Sequence, residues 1–223
     1  MSARGTSPVE RDVGRRGLNR LEAFSDGVFA IAITLLVLQF DVPPLDTPDT
    51  ELAEELLGQF PQFLSFALSF LVIGRYWVAH HSTFAYIRRY DGTFLFLNLV
   101  LLFGVAFLPY PTEVLGEHGD QGTAVVLYAA SISAVSVASS AIWWYATRRH
   151  RLVDPDLDPA FIRSVQLRAA SGAAVFLVSI PLAFVSVYAS YAVWAVFFPL
   201  VRVGIRRRER RRTLRSDEPG REG

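Results

Sequence analysis

The sequence predicts an all-α integral membrane protein with six transmembrane helices. Three observations carry this. Of 223 residues, 52% are hydrophobic and 19% charged, and the mean hydropathy is +0.31; soluble domains carry about a quarter charged residues. Six apolar runs approach the about 20 residues that a helix needs to cross a bilayer. All 22 basic residues are arginine, and every one except Arg75 falls in, or at the edge of, alternate segments outside those runs. This composition excludes disorder over most of the chain. With no cysteine, disulfide scaffolds, thiolate metal sites and cysteine nucleophiles are also excluded.

Taken in order, residues 1–17 read as a polar, mobile tail. The first span covers residues 21–40, with the core VFAIAITLLVLQF. It is too long for the apolar region of a signal peptide, and no small-residue cleavage site follows it. The second span covers 60–83, the third 94–110 and the fourth 123–145. The fifth, 169–185, and sixth, 187–203, are nearly continuous, with room for a turn at 186–190. The transmembrane domain is thus 18–205, and 206–223 form a second mobile tail containing RRRERRR. Arginines crowd both tails, the second-to-third loop (Arg88, Arg89) and the fourth-to-fifth loop (Arg148, Arg149, Arg151, Arg163, Arg168). The remaining loops hold acids, among them Asp41, Asp46, Asp49, Glu51, Glu54 and Glu55. The positive-inside rule then places both termini in the cytoplasm of a multi-pass cell-membrane protein. The RRRERRR run reads as a topology anchor against anionic headgroups rather than a nucleic-acid site.

The first span carries the functional signal. An ionisable residue inside a span is costly unless paired and marks a functional site, and Asp26 is such a residue. On a wheel of about 100° per residue with Ile31 at zero, Phe24 falls near +20°, Leu35 near +40° and Leu38 near −20°. These four make one apolar stripe, flanked by Thr34 near −60°. Ser25 and Asp26 fall near +120° and −140°, on the far side. From the residues alone, packing against core or lipid is the simpler reading of the stripe. A structural hydrogen-bond network is the simpler reading of Ser25 and Asp26.

Partners follow from depth. Asp26 lies about 9 Å beyond Arg20 along the axis. His80 and His81, counted back from Arg88, and Asn98, counted from Asp91, reach a similar depth. Trp77 adds an indole donor. A Ser–Asp–His–Asn–Trp network among the first three spans would satisfy these groups where lipid offers no water. The inner histidine stays open between His80 and His81, and the spacing from Trp77 favours His80. Arg75 sits nearer the midplane, and Asp26 is its expected partner.

These residues resemble a known family. Arg20-x-x-x-Phe24-Ser25-Asp26, followed by Ala30, Ile31, Ala32, Ile33, Thr34, Leu35 and Leu36, is similar to the first-helix signature of potassium channels related to the lysosomal transmembrane protein 175, in their prokaryotic form. Trp77, His80 and Asn98 match as well. The resemblance implies a homotetramer of six-helix subunits, a channel without a re-entrant P-loop filter. It implies that the first helix lines the pore, with Ile31 as the narrowest ring, Leu35 and Leu38 as further rings, and Thr34 as a polar layer. It gives Arg20, Phe24, Ser25, Asp26, Trp77, His80 and Asn98 a structural role. The implied activity is leak-like conduction, modestly favouring potassium over sodium. No cofactor is expected beyond the permeant ion, and the partners are the bilayer and other copies of the chain.

Two other readings compete. A proton-coupled secondary transporter would use Asp26 and the membrane histidines as a relay; Pro181 and Pro199 interrupt the last two spans, but the first has no break. An intramembrane metalloenzyme is disfavoured, because adjacent histidines project about 100° apart. His118 and His150 lie on opposite sides. The acidic outer loop either concentrates cations at the mouth or is simply solvated.

Overall fold

The computed structural model describes residues 8–195. Helix α1 (Pro8–Leu35) tightens into a 3-10 turn over Leu36–Gln39. It starts well upstream of the first span, so the described part of the expected mobile tail is helical. Arginine, glutamate and leucine are good helix formers, and Leu18 and Leu21 pack against the core. Gly17 allows Tyr90 to close on the helix, since a Cβ there would overlap the tyrosine hydroxyl.

Helix α2 (Asp49–Gly58) is short, acidic at its start and has no buried residue, so part of the acidic outer loop is helical. Gln59 then exchanges two hydrogen bonds with the Asp41 backbone, at 3.1 and 2.8 Å. Helix α3 (Phe60–Phe84) follows, with a proline in its first turn. Helix α4 (Gly92–Phe107) is capped by Asp91, whose side chain accepts from the Phe94 N–H at 2.9 Å.

The third span is two helices, α4 and α5 (Pro109–Glu117), together 26 residues from Gly92 to Glu117. It runs past the expected end at residue 110. Pro109 and Pro111 each remove a helical donor. The ladder tightens at the break, where the Leu108 N–H donates to the Val105 carbonyl at 3.2 Å, and it resumes beyond it, where the Leu108 carbonyl accepts from both the Thr112 N–H at 3.1 Å and the Thr112 hydroxyl at 2.8 Å.

Helix α6 (Gly122–Thr147) is the central element. Tyr128, Ile132, Val135 and Trp143 on it are almost wholly buried. Helices α4, α5 and α7 (Pro159–Ala183) pack against it. Helix α7 begins ten residues earlier than the expected fifth span, because Asp158 caps it by accepting from the Ala160 N–H. The turn after α7 falls at residues 184–186, and helix resumes at 187. Ser190, expected in the turn, is therefore helical and donates to the Ser179 carbonyl at 2.9 Å. The sixth span is helical over 187–195. Its remainder and the 206–223 tail lie outside the described residues. Among the described residues, five segments are long and apolar enough to cross a membrane. Helix α1 sits at the edge of this bundle, against α3 and α4.

Candidate functional site

The face that α1 turns to the bundle is set by Ser25, Phe29, Ala32 and Leu36, all buried. Ser25 is fully enclosed and donates to the Leu21 carbonyl one turn back, at 2.8 Å. Its hydroxyl oxygen accepts from the Asn98 side-chain amide at 3.0 Å. The Asn98 carbonyl oxygen meets His80 Nε2 at 2.9 Å. Because Asn98 spends its N–H on Ser25, it offers His80 an acceptor, so His80 Nε2 carries the proton. The other ring nitrogen, Nδ1, is buried without a hydrogen-bond partner. Phe29 and Phe84 wall the imidazole at 5.5 and 4.3 Å between ring centroids. This chain of three side chains ties α1, α3 and α4 together in a dry pocket.

Asp26 belongs to a second, wetter branch. Trp77 donates its indole N–H to Asp26 Oδ1 at 2.9 Å. His81 stacks on Trp77 with centroids 6.0 Å apart and places Nδ1 3.1 Å from Glu22. The expected single network is thus two branches one turn apart. His80 is the inner histidine and His81 the outer one. The Glu22–His81 pair was not foreseen; both residues are polar groups flanking the motif, and that was the available signal.

Arg75 corrects an expectation. It makes no ion pair with Asp26, nor with any acid among the described residues. Arg75 and Trp77 are two positions apart on α3 and so project about 200° apart. With Trp77 aimed at Asp26, Arg75 is aimed elsewhere, beside Tyr76. Arg20 is exposed one turn before Phe24 and likewise has no ion pair among the described residues.

The opposite face of α1 is bare. Relative exposure is 56% at Phe24, 60% at Ile31, 42% at Leu35 and 74% at Leu38. Leu38 lies in the 3-10 turn, where residues three apart eclipse, so it stands over Leu35 and the stripe continues. Thr34 is exposed beside it, its hydroxyl turned back to the Ala30 and Ile31 carbonyls at 3.0 and 2.9 Å. The far end of the stripe is fixed by residues the sequence reading missed. Gln39 accepts from Ser65 on α3 at 3.1 Å and donates to Leu36 at 2.9 Å. A glutamine closing an otherwise apolar run was the trace of this anchor. The helix is therefore pinned along one face and offers a continuous apolar ridge on the other.

Deeper in the bundle, the Thr112 and Ser69 hydroxyls are hydrogen-bonded at 2.8 Å, and Ser69 shares a further hydrogen bond with Tyr128 at 3.0 Å. Tyr76 bonds Ser136. These join α3, α5 and α6 and do not reach the ridge.

Comparison with known proteins is consistent across sequence and fold. Residues 20–109 match the family model described as the endosomal/lysosomal potassium channel TMEM175. A potassium channel of Streptomyces collinus is 40% identical over 197 residues, 85% of this chain and 95% of that protein. The endosomal/lysosomal proton channel TMEM175 of Mus musculus is 36% identical over 137 residues, 56% of this chain and 27% of the mouse protein. The crystal structure of a lysosomal potassium-selective channel TMEM175 homolog from Chamaesiphon minutus superposes with a TM-score of 0.71 at 36% identity. It covers 83% of this chain and 97% of that one.

Proposed function

Since the chain belongs to the TMEM175 family, a family of ion channels and not of enzymes, we propose that it is a potassium-permeable cation channel built as a homotetramer. Each subunit contributes six membrane-spanning helices, and both termini face the cytoplasm. The α1 helices surround the pore axis. Ile31 forms the narrowest ring, Leu35 and Leu38 the next two, and Thr34 a polar layer. Conduction is leak-like, with modest preference for potassium over sodium.

One observation supports this reading above the others: the bare ridge on α1 lies opposite a fully bonded face. A membrane helix pinned by Ser25, Asp26 and Gln39 has its rotation fixed, so the same four apolar side chains must meet whatever lies at the axis. Rings of such side chains form a constriction that can empty of water. An ion crossing it sheds part of its hydration shell, and potassium sheds water more easily than sodium. No carbonyl cage is required for a modest preference.

The test is ion flux from purified protein in liposomes, under a potassium or a sodium gradient, for wild type and Ile31→Asn. The wild type carries potassium in excess of sodium, and Ile31→Asn raises flux and brings the two ions closer. An unchanged ratio in the variant counts against the ring. The mouse relative is a proton channel by name, which favours the proton as a second permeant species, and a pH-sensitive dye in the same liposomes reads it. The transporter reading required Asp26 and the histidines to act in relay. Asp26 and His80 instead bond to different partners, Trp77 and Asn98. Concentrative uptake against a gradient would restore that reading.

A further inference from the structure

At the arginine-rich end of the bundle, away from the α1 ridge, a cluster of cations remains unused by the conduction path. Helix α6 ends at Thr147 and the chain turns back through Arg148, Arg149 and His150. Arg149 (φ 54°) and His150 (φ 52°) both hold left-handed backbone, which non-glycine residues rarely adopt. The returning strand is fastened. Arg88 donates its backbone N–H to Leu152 at 2.8 Å, Ile87 pairs with Val153, and Arg89 Nε donates to the Arg151 carbonyl at 2.8 Å.

This turn borders a half-open cavity of about 400 Å³ lined by Tyr145, Arg148, Arg149 and Arg151. That is within the usual size of small-molecule sites, about 300–1,000 Å³. Arg151 lies over the Tyr145 ring at 4.8 Å and pairs with Asp91 at 3.3 Å. Tyr145 donates to the same Asp91 oxygen at 2.7 Å. Arg148 rests on the Trp144 ring at 5.0 Å. Neither Arg148 nor Arg149 has a carboxylate partner among the described residues. Of the three guanidinium groups only that of Arg151 is paired with a carboxylate, and aromatic stacking holds those of Arg148 and Arg151 in place. The half-exposed Trp144 beside them is the residue type that marks the headgroup level of a bilayer.

We propose that this cavity binds a phosphate group, and that its occupant is the headgroup of an anionic phospholipid. Guanidinium forks match phosphate oxygens two at a time, and stacking has already removed part of their freedom. The half-exposed Trp144 next to the cavity-lining Tyr145 is the residue type found at the headgroup level, the level at which a lipid would reach the cavity without leaving its leaflet. The proposal rests on the membrane reading of the chain but not on the pore assignment.

The experiment uses the purified full chain in a neutral detergent. Thermal unfolding is followed while short-chain phosphatidylglycerol, short-chain phosphatidylcholine or inorganic phosphate is titrated. Phosphatidylglycerol should raise the midpoint of the wild type, with phosphatidylcholine and inorganic phosphate much weaker. In Arg148→Gln/Arg149→Gln the apparent affinity for phosphatidylglycerol should fall about tenfold or more, the scale of one lost charged hydrogen bond. The paired Arg148→Lys/Arg149→Lys variant should recover part of it. Inorganic phosphate as effective as the lipid would reassign the cavity to a free anion and overturn the lipid occupant. Equal effects of the two lipids, or an unchanged response in the glutamine variant, would overturn the site. Potassium flux of the glutamine variant, measured in parallel, separates this outcome from any failure of the channel reading.

Discussion

Asn98→Ala is the sharpest probe of how α1 is held. Asn98 is fully buried and makes two bonds, donating to Ser25 at 3.0 Å and accepting from His80 at 2.9 Å. The two losses are unequal. Ser25 keeps its own bond to Leu21, so its hydroxyl hydrogen stays satisfied. His80 does not recover, because it is 3% exposed and its second nitrogen already lacks a partner. Exchanging tautomers only moves the orphaned N–H from one dry position to another. A buried donor left unsatisfied costs about 1–3 kcal/mol. Interhelical bonds inside membranes average about 0.6 kcal/mol with a maximum near 1.7, which pulls the expectation to the lower half of that range. At about 2–4 °C per kcal/mol for a chain of this size, Asn98→Ala should melt roughly 2–8 °C below wild type in detergent. Removing both partners leaves nothing orphaned, so Asn98→Leu should cost less in a His80→Leu background than alone, with a coupling of at least about 0.5 kcal/mol. A melting point within 1 °C of wild type, or strict additivity of the pair, would refute the reasoning.

The other predictions test different parts of the molecule. Asp26→Ala removes the acceptor of the Trp77 indole and should loosen α1 enough to lower the oligomeric fraction on size exclusion. Trp77→Phe, which keeps the ring and deletes the N–H, should show a weaker form of the same loss. Desolvation raises the Asp91 carboxyl, but the Phe94 N–H, the Tyr145 hydroxyl and Arg151 together outweigh it and hold the group below the usual carboxylate range. A depressed carboxyl stabilises the fold above its unfolded value of about 4 and loses that contribution as pH falls through the folded value. Asp91→Asn should therefore melt lower than wild type at pH 7, with the gap closing below about pH 4. Gly104 lets α4 close on α6, since a Cβ there would stand 2.9 Å from Val135 Cγ2. Gly104→Ala should cost about 1–3 kcal/mol in thermal stability, and Val135→Ala in the same chain should return part of it.

Much of the anchoring face was legible because polar residues in apolar runs have so few places to go. Ser25, Asp26, Trp77, His80 and Asn98 stood out for that reason, and equal depth was enough to group them. Depth did not fix direction. Arg75 and Trp77 lie at nearly the same height on α3, yet their azimuths oppose, and only the packed helix decides which one meets Asp26. The break after Leu108 was hidden by hydropathy: Pro109 and Pro111 interrupt the hydrogen-bond ladder without interrupting the apolar run, so the expected end at 110 fell short of Glu117. The upstream half of α1 was hidden for the converse reason. Its arginines read as a soluble tail, whereas helix propensity and the Tyr90 contact at Gly17 depend on neither hydropathy nor charge.

The unbroken run of α1 from Pro8 to Leu35 has a mechanical consequence. Were the Gln39–Ser65 bond released, the rod would pivot at Ser25, with roughly 25 Å of helix on one side and 15 Å on the other. Pivoting it by about 5° around that point shifts the backbone at Ile31 by roughly 0.8 Å and at Leu35 by roughly 1.3 Å. In the proposed ring of α1 helices each shift would count twice across the diameter, which is the scale on which a narrow apolar aperture admits or refuses a water molecule. If the α1 helices line the pore as proposed, a push applied to the arm upstream of Ser25 would be felt at the Ile31 ring without any ligand entering it.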